Sequence, residues 1–309
     1  MKDCFLSPQR IPTRRIETSQ RLAAAGSGEF AVIDVISEKD RRLRIWHSIS
    51  KEDLDNFEPK QLRNLGIYGG AQGIWVDKTH TASPEIGSDG ATVAILHTGR
   101  HYPDDLSDDG MIYHYPKTSR PLARDTAEIQ ATKNAMIHRL PIFVVLPGKK
   151  SPSRRCLKLG WVCDFDDDNR QFLILFGQET PPSYSRAEME NEPFHLTDEP
   201  RRKASTVMAR IGQQGFRFHV LSKYGHKCAV CDICHPQLIK AAHICGKAHK
   251  GSDDWRNGIP LCATHHDAFD SHLFCVDPTS GAIQCTLISL LSLSTISAGV
   301  FLGAPMPYS

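Results

Sequence analysis

The stretch from Tyr224 to Phe274 constrains this chain more than any other, because it sets two pairs of metal-binding residue types at close spacing. Cys228 and Cys231 form a CxxC, and Cys262 and His265 form a CxxH. Two such pairs can close a tetrahedral site around a zinc ion. Cys234 is a competing ligand, since CAVCDIC offers two overlapping pairs. Six of the ten cysteines fall between Cys228 and Cys275. That clustering reads as metal binding in a reducing compartment rather than as a disulfide framework.

Interleaved with the pairs are a histidine in an apolar run (AAHI, His243), an asparagine before glycine (NGIPLC, Asn257) and a histidine opening a helical stretch (HHDAFD, His266). In this order they resemble the HNH nucleases, whose ββα-metal fold holds one divalent cation between a β-hairpin and a helix. The chemistry suits a phosphodiester. Hydrolysis needs a water deprotonated near neutral pH, which imidazole can do, and a cation to neutralise charge on the phosphate and the leaving oxygen. On this resemblance His243 is the candidate base, His266 the candidate ligand of a catalytic Mg²⁺ or Mn²⁺, and Asn257 pins the loop that orients His243. A helix starting near Leu261 places Asp270 four residues beyond His266 on the same face, as a further candidate ligand. LCATHH has the register of the family's second cysteine pair, with His265 where the second cysteine usually stands. One histidine is then structural and its neighbour catalytic. Ala242 occupies a position where the family often has another metal-binding residue, which leaves the second protein ligand open between Asp270 and His243 itself.

With 309 residues and 40% hydrophobic content the chain is long enough for two domains. Its net charge is only +2, but Arg201 to Cys275 carries 11 Lys+Arg against 5 Asp+Glu. Such a local surplus suits phosphate contacts, with a solvated face as the alternative. The expected division is an N-terminal α/β extension over 1–65, a β-rich domain over 66–178, a polar, Pro-containing linker over 179–200, a nuclease domain over 201–285 and a hydrophobic tail over 286–309. In the extension, AVIDVIS reads as a strand and SKEDLDNFEPKQLRNLG as a short helix capped by Ser50 and stopped by Gly66. RRLR (Arg41 to Arg44) reads as a solvated edge. The opening MKDCFLSPQRIPTRR lacks the apolar core of a signal peptide, so a cytoplasmic location is expected. Thr286 to Ala304 is uncharged and long enough to span a membrane, but its Ser and Thr content favours a buried segment, and no membrane partner is expected.

From Gly66 to Gln178 short apolar runs (GIW, ATVAIL, LPIFVVL, LGWVCDF, QFLILF) alternate with Gly, Pro and Asp turns, which suggests a barrel or a strongly bent sheet. IYGGAQGIW, ATVAILHTGRHYPDDLSDDGMIYHYP and DTAEIQATKNAM together resemble the SRA domain, a curved β-structure that flips a modified cytosine out of duplex DNA. The fold class expected is therefore α+β: an SRA/PUA-like curved barrel followed by a ββα-metal HNH domain with a structural zinc. By the resemblance, Tyr102 and Tyr115 sandwich the flipped base and Asp105 reads its polar edge. One extra residue before Gly110 makes Asp104 the alternative to Asp105. Two aromatic faces and a carboxylate that accepts from an exocyclic amine are suitable tools for offsetting the cost of unstacking. Gly110 would allow the turn into the next strand. Pro116 replaces a hydroxyl residue, which opens the question of which base is accepted. The segment is charge-balanced, 13 Lys+Arg against 13 Asp+Glu, with Arg100, Lys117, Arg120 and Arg124 the cations nearest the proposed pocket in sequence.

Together these readings imply a metal-dependent, restriction-type HNH endodeoxyribonuclease that acts on double-stranded DNA containing modified cytosine and uses no small-molecule cofactor. One HNH site cuts one strand, so a double-strand break implies a dimer or successive nicks, and a homodimer is expected. The alternatives are a non-catalytic reader of modified DNA and an HNH nuclease without modification dependence.

Overall fold

The computed structural model describes residues 37–51, 53–67, 73–97, 105–148, 151, 153–181, 186–198, 212–277, 280 and 282–285. AVIDVIS up to Ile36, Tyr102, Asp104, Arg100, the basic run Arg201 to Arg210 and the tail from Thr286 lie outside them. No helix among the described residues is long and apolar enough to cross a membrane.

The first helix among the described residues, α1 (Glu38–Ser48), starts where Ser37 accepts a hydrogen bond from the Asp40 N–H and two acids occupy the first turn. It carries the RRLR cluster, and Arg42 is fully buried rather than solvated. Its Nη1 donates to the Thr92 and Pro141 carbonyls at 2.7 and 2.8 Å, and its Nε to Glu38 at 2.6 Å, so each of these contacts replaces water lost on burial. The expected single helix after Ser50 is divided. Ser50 caps a turn at Asp53, Phe57 bridges to Arg155, and α2 (Pro59–Asn64) follows with Gly66 at positive φ beyond its end.

Six strands follow in one sheet: β1 (Ile74–Val76), β2 (Thr92–Leu96), β3 (Gly110–His114), β4 (Ile142–Pro147), β5 (Arg155–Asp166) and β6 (Gln171–Phe176), in the spatial order β1-β2-β4-β5-β6-β3. A short helix, α3 (Lys78–Thr81), follows β1, and α4 (Leu122–Ile137) precedes β4. β2 and β4 run parallel, and the remaining pairs are antiparallel. The sheet stays open, with β1 and β3 as its edges, so of the two expected forms, a barrel or a strongly bent sheet, a closed barrel is not formed among the described residues. Its strands are apolar on both faces because helices cover both. Ile142 and Val144 join Ala135 of α4 in one core, while Phe143 and Val145 join Trp46 and Leu62 of α1 and α2 in the other. Continuous apolar runs such as IFVVL are what a sheet buried on two sides requires.

Gly110 lies within β3, paired with Leu175, rather than in a turn. A Cβ there would sit 2.6 Å from the Ile174 carbonyl oxygen, so glycine permits the close approach of β3 to β6.

The stretch read as a linker contains α5 (Arg186–Asn191), whose Met189 packs with Ile112, Leu173, Leu175 and Phe218. Phe218 belongs to α6 (Gly212–Tyr224), which lies between the large sheet and a smaller unit. That unit consists of β7 (Ile239–His243), β8 (Gly258–Cys262) and α7 (Ala263–Asp270), with a second hairpin, β9 (Phe274–Val276) and β10 (Ile283–Cys285), after it.

Candidate active site and metal centre

β7 and β8 pair antiparallel, with Ile239 opposite Cys262 and His243 opposite Gly258. α7 begins directly after β8, two residues later than its expected start, with Cys262 as its N-cap. Hairpin and helix are therefore one continuous ββα unit, which places His243 at the end of the first strand and His266 in the helix. A Cβ at Gly258 would collide with Val220 and Phe216 of α6, so the glycine after Asn257 lets that helix seat on the hairpin.

Asn257 is fully buried. Its Oδ1 accepts from the Cys245 N–H at 2.8 Å, and its Nδ2 donates to the carbonyls of Cys245 and Ser252 at 3.1 and 2.9 Å. One side chain thus joins the two ends of the loop that leaves β7 immediately after His243. Ser252 is also held from outside, by the carbonyls of Leu196 and His195.

His243 stacks on Phe216, with ring centroids 3.7 Å apart and planes 7° from parallel. Its Nε2 lies 3.0 Å from Oδ1 of Asp253, which also accepts from Lys247 Nζ at 2.7 Å. Burial works to raise the Asp253 carboxyl, but the hydrogen bonds from His243 and Lys247 outweigh it and hold the group below its ordinary value. His266 Nδ1 lies 3.2 Å from Asp270 Oδ2, one helical turn on. For a hard cation with bonds of about 2.1 Å, adjacent ligand atoms stand about 3 Å apart, so this imidazole and carboxylate fit two neighbouring positions around such an ion.

The other histidine of the pair belongs to a different site. Ligand atoms of Cys228, Cys231, Cys262 and His265 all lie within 4.8 Å of one another. Cys231 Sγ is 3.9 Å from Cys262 Sγ, and His265 Nδ1 is 3.5 Å from Cys228 Sγ and 3.1 Å from Cys262 Sγ. A tetrahedral zinc with Zn–S of about 2.3 Å and Zn–N of about 2.0 Å has edges of about 3.5 to 3.8 Å. The donor set and its spacing therefore fit a metal ion. Cys234 is exposed and outside the cluster. Adjacent residues of a helix point about 100° apart, which is how His265 and His266 serve two different places.

In the larger sheet the candidate base-reading residues take separate positions. Tyr115 is buried in the core that β3 shares with α4, 4.5 Å from the Phe172 ring, and its hydroxyl donates to Asp167 at 2.8 Å. Burial and the Asp167 carboxylate push its phenol well above the ordinary range. Asp105 is buried toward α6, where His114 Nε2 lies 2.8 Å away and Arg217 Nη2 3.3 Å away. The structure thus sets Tyr115 and Asp105 toward different faces of β3. Arg217 also donates to the Ile239 carbonyl at 3.0 Å, so it links the Asp105 loop to the first strand of the ββα unit. Arg120 is engaged by Asp125 and Glu128, each at 2.8 Å.

Residues 228–277 match the HNH endonuclease family. The HNH segment so defined contains both histidines, Asn257 and the complete Cys₃His cluster. No curated protein matches the chain. Among solved structures, a modification-dependent TagI restriction endonuclease is 20% identical, with 75% of this chain and 81% of that chain covered and a TM-score of 0.28. SUVH5 SRA in complex with hemimethylated CG DNA is 20% identical over 42% of this chain and 87% of that one, TM-score 0.27. The Type IV phosphorothioation-dependent restriction endonuclease ScoMcrA is 13% identical over 69% of this chain and 55% of that one, TM-score 0.28. The HNH assignment stands on the family match and on the hairpin, helix and buried asparagine, independently of these loose structural likenesses.

Residue order pointed to His243, Asn257 and His266, but not to Asp253, Lys247 or Phe216 around them. The only signal for Asp253 is its place in the acidic pair of GSDDWRNG, a few residues before Asn257.

Proposed function

We propose that the chain is a modification-dependent DNA endonuclease in which the N-terminal sheet domain recognises duplex DNA carrying a modified cytosine and the HNH segment hydrolyses a phosphodiester bond. The observation that carries the nuclease half is the ββα unit of the matched segment, with His243 ending one strand, Asn257 locking the loop behind it and His266 on the helix. His243 removes a proton from the attacking water. His266 and Asp270 would hold a divalent cation, Mg²⁺ or Mn²⁺, which when bound would neutralise charge on the phosphate and the leaving oxygen. Cys228, Cys231, Cys262 and His265 would hold a zinc ion, which would tie the hairpin to the helix and keep the spacing of the reacting groups.

Recognition is assigned to Tyr102, Tyr115 and Asp105, with Asp104 as the alternative acid, on the sequence resemblance to the SRA domain; because Tyr115 is buried in the α4-side core and Asp105 faces α6, Tyr115 would have to leave that packing to share a pocket with Asp105. Reading a base edge with Asp105 requires the amine of the base to replace one of its present partners, His114 or Arg217. A break in both strands in a single encounter calls for two HNH sites, whereas successive nicks need only one, and a homodimer is the working form proposed. Sedimentation of a monomer that cuts both strands in one encounter contradicts that arrangement.

Two variants test the division of labour. His243→Ala is expected to abolish cutting and retain DNA binding, whereas Tyr102→Ala is expected to weaken selective binding to modified duplex. Normal cutting by His243→Ala removes the base assignment, and unchanged selectivity in Tyr102→Ala removes the pocket assignment.

A further inference from the structure

We propose that Asp253 is a positioning residue for cleavage: its carboxylate accepts the Nε2–H of His243 and thereby leaves Nδ1 as the nitrogen that takes the proton from water. The inference rests on the reading of His243 as the base and adds the residue that selects its tautomer.

Four observations carry it. Asp253 Oδ1 lies 3.0 Å from His243 Nε2, and the two side chains are only 12% and 14% exposed. Phe216 covers one face of the imidazole and restricts its tilt. Among the described residues Nδ1 has no hydrogen-bond partner, which leaves it available as an acceptor. The loop that presents Asp253 is anchored at the preceding residue, because Asn257 Nδ2 holds the Ser252 carbonyl. The buried asparagine therefore supports His243 through both ends of the loop.

The neighbouring acid is otherwise engaged. Asp254 caps the short 3₁₀ turn at Trp255–Asn257 and pairs with Arg256 at 2.5 Å. Of the two consecutive acids only Asp253 reaches the histidine. Lys247 keeps that carboxylate charged at 2.7 Å, and Asp198 stands 3.5 Å from the same ammonium.

The chemistry balances without proton transfer to Asp253. A water O–H bond breaks, its proton goes to Nδ1, and the resulting hydroxide forms the new P–O bond. The P–O bond to the leaving sugar oxygen breaks, and that oxygen takes a proton from solvent water. His243 becomes an imidazolium between Phe216 and a fixed carboxylate, and afterwards returns its proton to solvent. Asp253 thus orients the ring before the step and stabilises the positive charge formed during it.

The test is Asp253→Asn in the full chain, which keeps the side-chain volume and removes the charge. On the duplex cut best by the unmodified enzyme, kcat is expected to fall on the order of 10- to 100-fold, with KM for DNA and the Mg²⁺ requirement unchanged within about twofold. Asp253→Glu is expected to recover part of the loss. Nitrogen-15 NMR of labelled histidine is expected to show His243 protonated at Nε2 in the wild type and as a tautomer mixture in Asp253→Asn. That readout needs no substrate, and a purely structural role for Asp253 does not predict it. A wild-type signal protonated at Nδ1, or an unchanged kcat, overturns the proposal. A loss of activity reversed by excess Mg²⁺ also overturns it, because Asp253 is then a metal ligand. His243→Ala run alongside separates the cases. An active His243→Ala sinks the base assignment itself, whereas an inactive one beside a fully active Asp253→Asn sinks only the role of Asp253.

Discussion

Asn257→Ala tests whether one buried amide organises the catalytic loop. The substitution removes three hydrogen bonds and strands the Cys245 N–H, the Cys245 carbonyl and the Ser252 carbonyl. Each stranded buried group costs about 1 to 3 kcal/mol. Local rearrangement and entering water will satisfy some of them, so we expect a total near 3 kcal/mol, confined mainly to the loop between Cys245 and Ser252. Hydrogen exchange followed by mass spectrometry reads this directly. The Cys245 amide has lost its acceptor, and amides across 245–252 should exchange roughly 100-fold faster, since each tenfold corresponds to about 1.4 kcal/mol. Exchange in β4 and β5 should not change. Asn257→Asp should be no better, because it sets a carboxylate against two carbonyl oxygens while retaining only the contact to Cys245. A loop that exchanges at the wild-type rate in Asn257→Ala contradicts this role for the amide, and so does a uniform loss of protection across the large sheet.

Other perturbations have equally definite outcomes. Metal analysis of purified protein should find about one zinc per chain held by the Cys₃His cluster; Cys234→Ala should keep it, and Cys262→Ala should lose it together with protection of the 228–276 region. Arg42→Met should lower stability by about 2 to 4 kcal/mol, because the Thr92 and Pro141 carbonyls lose their donor inside the core, as measured by urea denaturation. Burial works to raise the Glu38 carboxyl, but hydrogen bonds and charge from Arg41 and Arg42 overcome this and leave it lowered. Its contribution is therefore complete above the ordinary carboxyl range and lost as pH falls through the lowered value, so the stability gap between wild type and Glu38→Gln should close in acid.

The parts of the site that rest on short-range spacing were legible in the sequence. CxxC and CxxH place their ligands within a turn or two of chain, and the step from His266 to Asp270 is one helical turn, so little of the tertiary structure is needed to read either. Long-range consequences were not legible. Arg42 sits in a basic cluster that looks solvated, and only the carbonyls of Thr92 and Pro141, far along the chain, explain its burial. Runs such as IFVVL lack alternation and are equally compatible with a curved barrel and an open sheet covered on both faces; α1, α2 and α4 decide for the sheet. Spacing after Gly110 singled out Tyr115, but strand alternation directs Tyr115 with Met111 into the α4-side core, while His114 turns toward Asp105. Asp253 acquires meaning only when the Asn257 amide folds its loop back onto β7.

Single-turnover cleavage of matched duplexes containing cytosine, 5-methylcytosine or 5-hydroxymethylcytosine, with Mg²⁺ or Mn²⁺ and an EDTA control, reads recognition and hydrolysis together. A modification-dependent nuclease cuts a modified duplex in a metal-dependent reaction and leaves the unmodified one intact. Equal cutting of all three contradicts the recognition half, and selective binding without cutting in either metal contradicts the nuclease half.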